Sequence, residues 1–401
     1  MAKVALFLTR SPGAPMTGRK AVIRSAIAAL QAEGHAVDLI VAANPDPAFR
    51  HSGKVMWLGT PRKAGMLFNA ACSVAGGARS LNEALFHSRA LLAKVRPLRG
   101  GYDFAIADTI RMAPYAATLG VPWHLDMDDL FSARYEKFAA GGSLSAEVVL
   151  GYYRDSAPGL ARVIPQGLMR QVLLAEAARI KRRELYWARQ ADTVSLVSPE
   201  EAARFSRDLG RPVLSLPMSV SATEVQWTPG AGAPLFVGPL DYKPNLDALD
   251  YYQREVFPAL EAPSVLHHVG NAPQPLRRLF KEQVVRFEGY VNDLAARLRE
   301  AACFVAPIVS GTGIKTKVLE AMAAGVPVVT TAEGVAGLQV AHGRECFVCR
   351  RPADFAEAFR ALADRGLAAE IGRNARRYAA DNFSLPVLRR RWAAVLQELA
   401  R

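Results

Sequence analysis

Eleven short, almost wholly apolar runs, separated by longer amphipathic stretches, restrict this chain to one broad fold class. Five of them come early: "KVALFL", "AVDLIVA", "DFAIAD", "VPWHLDMD" and "DTVSLVS". Six follow later: "PLFVG", "SVLHHVG", "VVRFEGY", "CFVAPI", "VPVVTT" and "CFVCR". Near-continuous apolar strands alternating with helices predict parallel sheets covered on both faces. Between the two series lies "LPMSVSATEVQWTPGAGAP", rich in Pro, Gly, Ser and Thr and without periodicity, which reads as an interdomain linker near residues 217–233. A length of 401 residues also exceeds one typical core. The expected class is therefore α/β: two doubly wound parallel-sheet domains whose strand tips face a cleft. Residues 1–217 form the first, 218–380 the second, and 381–401 a terminal helix. The tail reads as two helices broken at "NFSLP", with Ser384 as cap and Pro386 in the first turn of the last helix.

Charge narrows the partners. Lys and Arg total 50 against 37 Asp and Glu, a net charge of +13, which favours anionic molecules. No finger, basic zipper or aromatic RNA-binding motif appears, so nucleic acid is not expected. No apolar run approaches the roughly 18–20 residues that span a bilayer. The start, "MAKVALFLTRSPGAP", reads as a strand and turn rather than a signal peptide, so the expected location is the cytoplasm. Four scattered cysteines suit a reducing compartment. "CFVC" has metal-ligand spacing but no second pair to complete a site, and reads as structural.

The stretch with most chemistry is "SGTGIKTKVLEAMAAGVPVVTT", residues 310–331, which gathers three glycines, two lysines and one glutamate where a loop enters a helix. Gly311 and Gly313 can bring backbone amides against a ligand, and a helix start adds roughly half a positive charge. Lys315 and Lys317 can neutralise a diphosphate there. Glu320, one turn in, can accept both hydroxyls of a ribose. Neither the P-loop nor the dinucleotide fingerprint can be written over this stretch.

Extended to "SGTGIKTKVLEAMAAGVPVVTTAEGVAGL", the wording resembles the donor signature of the family 4 ("group 1") glycosyltransferases, and more closely their exopolysaccharide-associated branch. "LFVGPLDYKPNLDALDYY", "VGNAPQPLRRL", "VRFEGYVNDLAARLREAACFVAP" and "NARRYAADNFS" are similar to further landmarks of that family, as is "TGRKAVIRSAIAALQAEGHAVDLIVA" near the start. The resemblance implies the GT-B fold: two Rossmann-like domains facing a cleft, with a final helix crossing back to the first. It implies transfer of a sugar from a nucleotide sugar, UDP- or GDP-linked, with retention and without a bound metal or further cofactor. It also implies a lipid-linked or oligosaccharide acceptor in surface-polysaccharide synthesis.

By this resemblance Glu320 holds the donor ribose, Lys315 and Lys317 meet the phosphates, and Gly311, Thr312, Gly313 and Ile314 line diphosphate and sugar. Tyr290 and Val291 of "GYV" frame the base, and Gly18 stands at the N-terminal loop glycine. Three positions depart from the family. Thr312 replaces the first glutamate of the E-x7-E pair. Gly238-Pro239 replaces Gly-Arg, so that Lys243 or the Lys315/Lys317 pair must supply the missing charge. Thr17 replaces the first loop glycine.

"VPWHLDMDDLF" sets His124, Asp126 and Asp128 on one face of an extended segment, at a strand tip where α/β proteins place ligands. Asp128 stands where many relatives carry an active-site histidine. These three are the catalytic candidates, the carboxylates serving to orient an acceptor hydroxyl or support charge on the sugar, with capping of the next helix as the plainer role for Asp128. Arg10, Arg19 and Lys20 flank the N-terminal glycine loop, Lys20 being expected to face solvent. The basic, apolar segments 61–99 and 170–192 suit an anionic membrane surface, or ordinary core helices with solvated faces. Two other functions share the fold: a sugar-nucleotide epimerase, and a catalytically weakened nucleotide-sugar-binding protein.

Overall fold

The structure, a computed structural model, describes residues 1–13, 18–140, 166–220, 227–228, 232–262, 264–311 and 313–401. The chain divides into two compact units: Met1–Leu216 with Arg389–Arg401, and Pro217–Leu388. Unit 1 contains β1 (Lys3–Leu8), β2 (Ala36–Val41), β3 (Val55–Trp57), β4 (Phe104–Asp108), β5 (Trp123–Asp126), β6 (Thr193–Leu196) and β7 (Leu214–Ser215). They form one parallel sheet in the order β3-β2-β1-β4-β5-β6-β7. Unit 2 contains β8 (Leu235–Val237), β9 (Leu266–Val269), β10 (Val285–Gly289), β11 (Phe304–Ala306), β12 (Val328–Thr331) and β13 (Phe347–Cys349). Its parallel order is β10-β9-β8-β11-β12-β13.

Each apolar run became a strand, most of them buried on both faces: in β1 every residue after Lys3 is buried, whereas β10 at the sheet edge exposes Arg286 and Glu288. The two strands that sequence reading missed are short. β3 is partly exposed throughout, and β7 has only two residues. In each sheet the chain begins at an interior strand, lays two strands to one side and then returns to the other. That reversal opens a crevice at the carboxyl tips of β1 and β4, and another at those of β8 and β11.

Helices complete each unit. In unit 1 the helix Pro199–Leu209 starts at Ser198, whose side chain accepts from the Glu201 amide at 3.4 Å. At the C-terminus, the helices Arg365–Phe383 and Leu385–Leu399 are separated by one extended residue, Ser384, whose carbonyl accepts the Leu388 amide at 3.0 Å. Trp392 of the last helix is buried in unit 1, edge-on to His124 with ring centroids 5.3 Å apart. Cys346 and Cys349 are buried free thiols, each pushed up to about 12 by burial. Lys20 departs from expectation: instead of facing solvent it is half-buried and donates to the Gly13 carbonyl at 2.8 Å. Among the described residues no helix is long and apolar enough to cross a membrane.

In unit 2 the helix Arg365–Phe383 packs on the turn that ends the helix Thr316–Ala323, and the approach leaves no room for a methyl group. A Cβ on Gly372 would lie 2.2 Å from the Gly325 carbonyl oxygen, and Gly325 itself sits at φ +75°. Gly372→Ala should therefore lower stability by about 1–3 kcal/mol, because backbone rather than a flexible side chain must move. Urea unfolding reads this directly, and an unchanged midpoint would refute the close approach.

Candidate functional site

Unit 1 builds its site at the β1/β4 switch point around one cation. Arg19 lies at the start of the helix Gly18–Ala32, whose apolar residues Val22, Ile23, Ile27 and Leu30 pin it to the sheet. This fixes the Arg19 guanidinium, only 8% exposed, over the tips of β4 and β5. Its Nε donates to Asp108 Oδ1 at 2.8 Å, and its Nη2 lies 2.6 Å from that oxygen and 3.0 Å from Asp126 Oδ2. Nη1 stands 3.3 Å from Asp128 Oδ1 without hydrogen-bond geometry. Asp128 is thus the most loosely held of the three, and the most exposed at 21%. Asp108 also accepts from Thr9 Oγ1 at 3.1 Å, closing the switch point between the two strands.

The charges are arranged to differ. Burial raises Asp108, but Arg19 and Arg10 outweigh it and hold the carboxyl below its ordinary range. Burial wins at Asp126, which is raised despite Arg19. At Asp128 burial and the neighbouring Asp129 carboxylate overcome Arg19 and push it up to about 6. Burial opposes the charge on Arg19, yet the three carboxylates hold its pKa well above the ordinary value. The backbone is strained at the same place: Thr109 and Asp128 both sit at φ 67°. Such conformations cost about 1–3 kcal/mol each and persist only where surroundings impose them. Here the Thr109 amide donates to Asp126 O and the Val197 amide to Asp128 O, both at 2.8 Å.

Two expectations change. His124 is fully buried, its Nδ1 and Nε2 each 2.8 Å from a hydroxyl, Thr193 Oγ1 and Ser195 Oγ, and burial lowers its pKa to about 3. It is a neutral packing residue beneath Trp392 and does not reach the tips with Asp126 and Asp128. The helix Phe131–Ala140 takes its cap from Glu184, not Asp128: Glu184 Oε1 accepts the Ser132 amide at 3.2 Å and Oε2 the Ser132 hydroxyl at 2.5 Å. Asp129 is held by Arg134, whose Nε donates to it at 3.1 Å. Gly18 is the exposed first residue of its helix, and Thr17 lies outside the described residues.

Unit 2 repeats the plan at the β8/β11 switch point. The loop after β11 carries Gly311 at φ 116° and Gly313 at φ 68°, and Lys315 is the N-cap residue of the helix Thr316–Ala323. Val318, Leu319 and Met322 bury one face of that helix and Ile314 anchors the loop, leaving Glu320 exposed. Lys315 Nζ donates to the Gly313 carbonyl at 2.8 Å and stands 3.5 Å from Glu333 Oε1. Lys317 donates to Asn245 Oδ1, and its ammonium lies 4.3 Å from the Phe236 ring centroid. Burial lowers its pKa to about 7, with Glu320 pulling up and Lys315 down.

Gly238, at φ 146°, is shaped around this lysine: a Cβ there would lie 2.6 Å from Lys317 Nζ and 2.5 Å from Asn245 Nδ2. Lys243 ion-pairs with Asp247, whose other oxygen accepts from Ser310 at 2.9 Å, so it joins the loop through a relay. Gly238, Gly311, Gly313, Lys315 and Lys317 therefore come together. Tyr290 (84% exposed) and partly buried Val291 follow β10. Thr312 lies outside the described residues. Sequence reading missed Asn245, Glu333, Asp108 and Glu184. Only Asp108, a carboxylate ending an apolar strand, carried a signal that could have found it.

Removing the Arg19 charge should expose the balance in unit 1. Arg19→Met leaves buried carboxylates unpaired, a change that costs about 3–5 kcal/mol. Asp108 then joins Asp126 and Asp128 in a folded pKa above the unfolded one, and the other two rise further, so stability is present at low pH and lost as pH rises through them. Urea unfolding should show the deficit shrinking between about pH 7.5 and about pH 5. A pH-independent deficit would contradict this account.

Residues 233–365 match the family described as "Glycosyl transferases group 1". No curated protein matches the chain. Among solved structures it is similar to a sucrose-phosphate synthase from Thermosynechococcus elongatus, with TM-score 0.67, 18% identity and coverage of 100% of this chain and 99% of that one. Anabaena HepE, solved with UDP, aligns with TM-score 0.65 and 17% identity over 99% of this chain and 100% of its own. TarM from S. aureus, solved with fondaparinux, α-GlcNAc-glycerol and UDP, aligns with TM-score 0.70 and 10% identity over the whole of both chains. The two parallel α/β sheets are those of the GT-B glycosyltransferases, and residues 233–365 carry a group 1 glycosyltransferase domain.

Proposed function

We propose that this protein is a nucleotide-sugar-dependent glycosyltransferase. The observation that carries the reading is the pair Lys315 and Lys317 with Gly238, Gly311 and Gly313 at the β8/β11 switch point, inside the group 1 domain. A diphosphate placed there receives two cations and a helix N-terminus, on a glycine loop whose backbone a ligand can approach closely. Phosphate charge is neutralised by lysine, so transfer needs no bound metal or further cofactor. Glu320, exposed on the same helix, takes the ribose hydroxyls, and Tyr290 with Val291 frames the base. UDP is the leading nucleotide because HepE and TarM were solved with it; GDP is the alternative.

Asp128 and Asp126 are the acceptor-side carboxylates. Asp128, with its pKa pushed up to about 6 and only a charge contact to Arg19, can turn to accept a hydrogen bond from an acceptor hydroxyl. The wording around Glu320 further supports the exopolysaccharide-associated branch of family 4, with retention and hexosyl transfer to a lipid-linked or oligosaccharide acceptor at the cytoplasmic membrane face. A weakened binding protein is the second reading, favoured by Thr312 and Pro239 where the family carries charged residues.

Thermal shifts with UDP, GDP, ADP, TDP and their sugars test the donor site. One nucleotide near 100 times its Kd should stabilise the protein by about 2.7 kcal/mol and fail with Glu320→Ala. Stabilisation without turnover would favour the binding protein, and no stabilisation by any nucleotide would refute the donor reading. The pH dependence is equally specific. Lys317 must be charged to meet a diphosphate, so with its pKa near 7 binding takes up a proton above that pH. Affinity should fall by up to about tenfold per pH unit there. Lys317→Met should bind more weakly, without that slope.

A further inference from the structure

The helix Lys63–Val74 of unit 1 is turned inside out. Its polar residues face the protein: Asn69 Nδ2 donates to the Ala84 and His87 carbonyls at 3.2 and 2.8 Å, and Ser73 Oγ donates to the Arg79 carbonyl at 2.9 Å. Arg179 reinforces this side by donating to the Ser73 carbonyl at 2.9 Å. Its apolar residues face outward: Leu67 is 72% exposed, Phe68 69% and Val74 70%, with Ala64 and Ala71 exposed between them. These five positions follow the helical repeat and make one continuous stripe. A soluble helix ordinarily buries such a stripe, so this one is built to meet something apolar.

The charge around the stripe indicates what that is. From residue 47 to residue 82 there is no Asp or Glu, while Arg50, Lys54, Arg62, Lys63 and Arg79 are present and exposed. Glu83, the first carboxylate after them, is buried and bound by Arg183. An apolar stripe on a stretch of chain that carries exposed cations and no carboxylate fits a surface that is oily within and anionic at its edge, which is a phospholipid bilayer. A second copy of this face fits poorly, because it would set like charges against each other.

We propose that the helix Lys63–Val74 docks the protein on an anionic membrane, with Leu67, Phe68 and Val74 entering the acyl boundary and Arg62, Lys63 and Arg79 meeting lipid phosphates. The inference rests on the reading of a lipid-linked acceptor for its purpose, and on this helix alone for its geometry. Co-sedimentation with vesicles of phosphatidylcholine and phosphatidylglycerol tests it, alongside vesicles of phosphatidylcholine only. The full chain should bind the mixed vesicles and bind the neutral ones less. Leu67→Gln with Phe68→Gln should weaken binding by at least about tenfold. Arg62→Gln with Lys63→Gln should weaken it on mixed vesicles by about fivefold for each cation lost. Both pairs are exposed, so circular dichroism should be unchanged, and the UDP-induced thermal shift reports the donor site separately. Equal binding by parent and variants, no vesicle binding by the parent, or a parent dimer that Leu67→Gln with Phe68→Gln dissociates would each overturn the inference. A lost UDP shift with vesicle binding as expected would sustain it and count against the donor reading.

Discussion

One guanidinium organises the first unit. Arg19 is the point at which the tips of β4 and β5 and the first helix are joined, and three carboxylates surround it because no single one could satisfy a buried cation with several donors. Everything unusual at this end of the sheet follows: two residues at positive φ, a carboxyl held low beside two held high, and a loose third ion pair. A well-solvated cation would have allowed relaxed turns. A buried one requires its partners to be delivered at fixed positions.

The second unit solves a related problem with the opposite need. Its half-buried cation, Lys317, is given a neutral amide and an aromatic face, with no carboxylate of the described residues within ion-pair distance. Its charge is therefore only marginally favoured, which suits a group whose intended counterion is a ligand. Arg19 is surrounded by protein carboxylates and fixes structure, whereas Lys317 is under-compensated and fits binding. The same switch-point geometry thus supports two electrostatic designs in one chain.

Most strands were legible because burial on both faces writes itself as a continuous apolar run, and β3 and β7 were not because a short, exposed edge or a two-residue pairing leaves no such run. The glycine-lysine loop was legible because it is local: Gly311 to Glu320 lie in one stretch. What escaped was long-range. Nothing near Lys317 in sequence announces Asn245, and nothing near Ser132 announces that Glu184 caps its helix. His124 misled because alternation along a strand says which residues share a face, but not which side of the strand tip they occupy. It packs beneath Trp392, whereas Asp128 lies beyond the strand in a left-handed turn.

The contact between Gly238 and Lys317 has an evolutionary consequence. The space a methyl group would need at residue 238 is the space the ammonium occupies, although the two positions are far apart in sequence. A lineage gaining a side chain at 238 must redirect residue 317, move Asn245 and accept a strained backbone at φ 146°, so loss of the lysine lifts only one of three obstacles. The glycine is thus the more constrained of the two. Glycine should therefore persist at 238 even in descendants that have abandoned the cation, whereas the lysine can be lost without any prior change at the glycine.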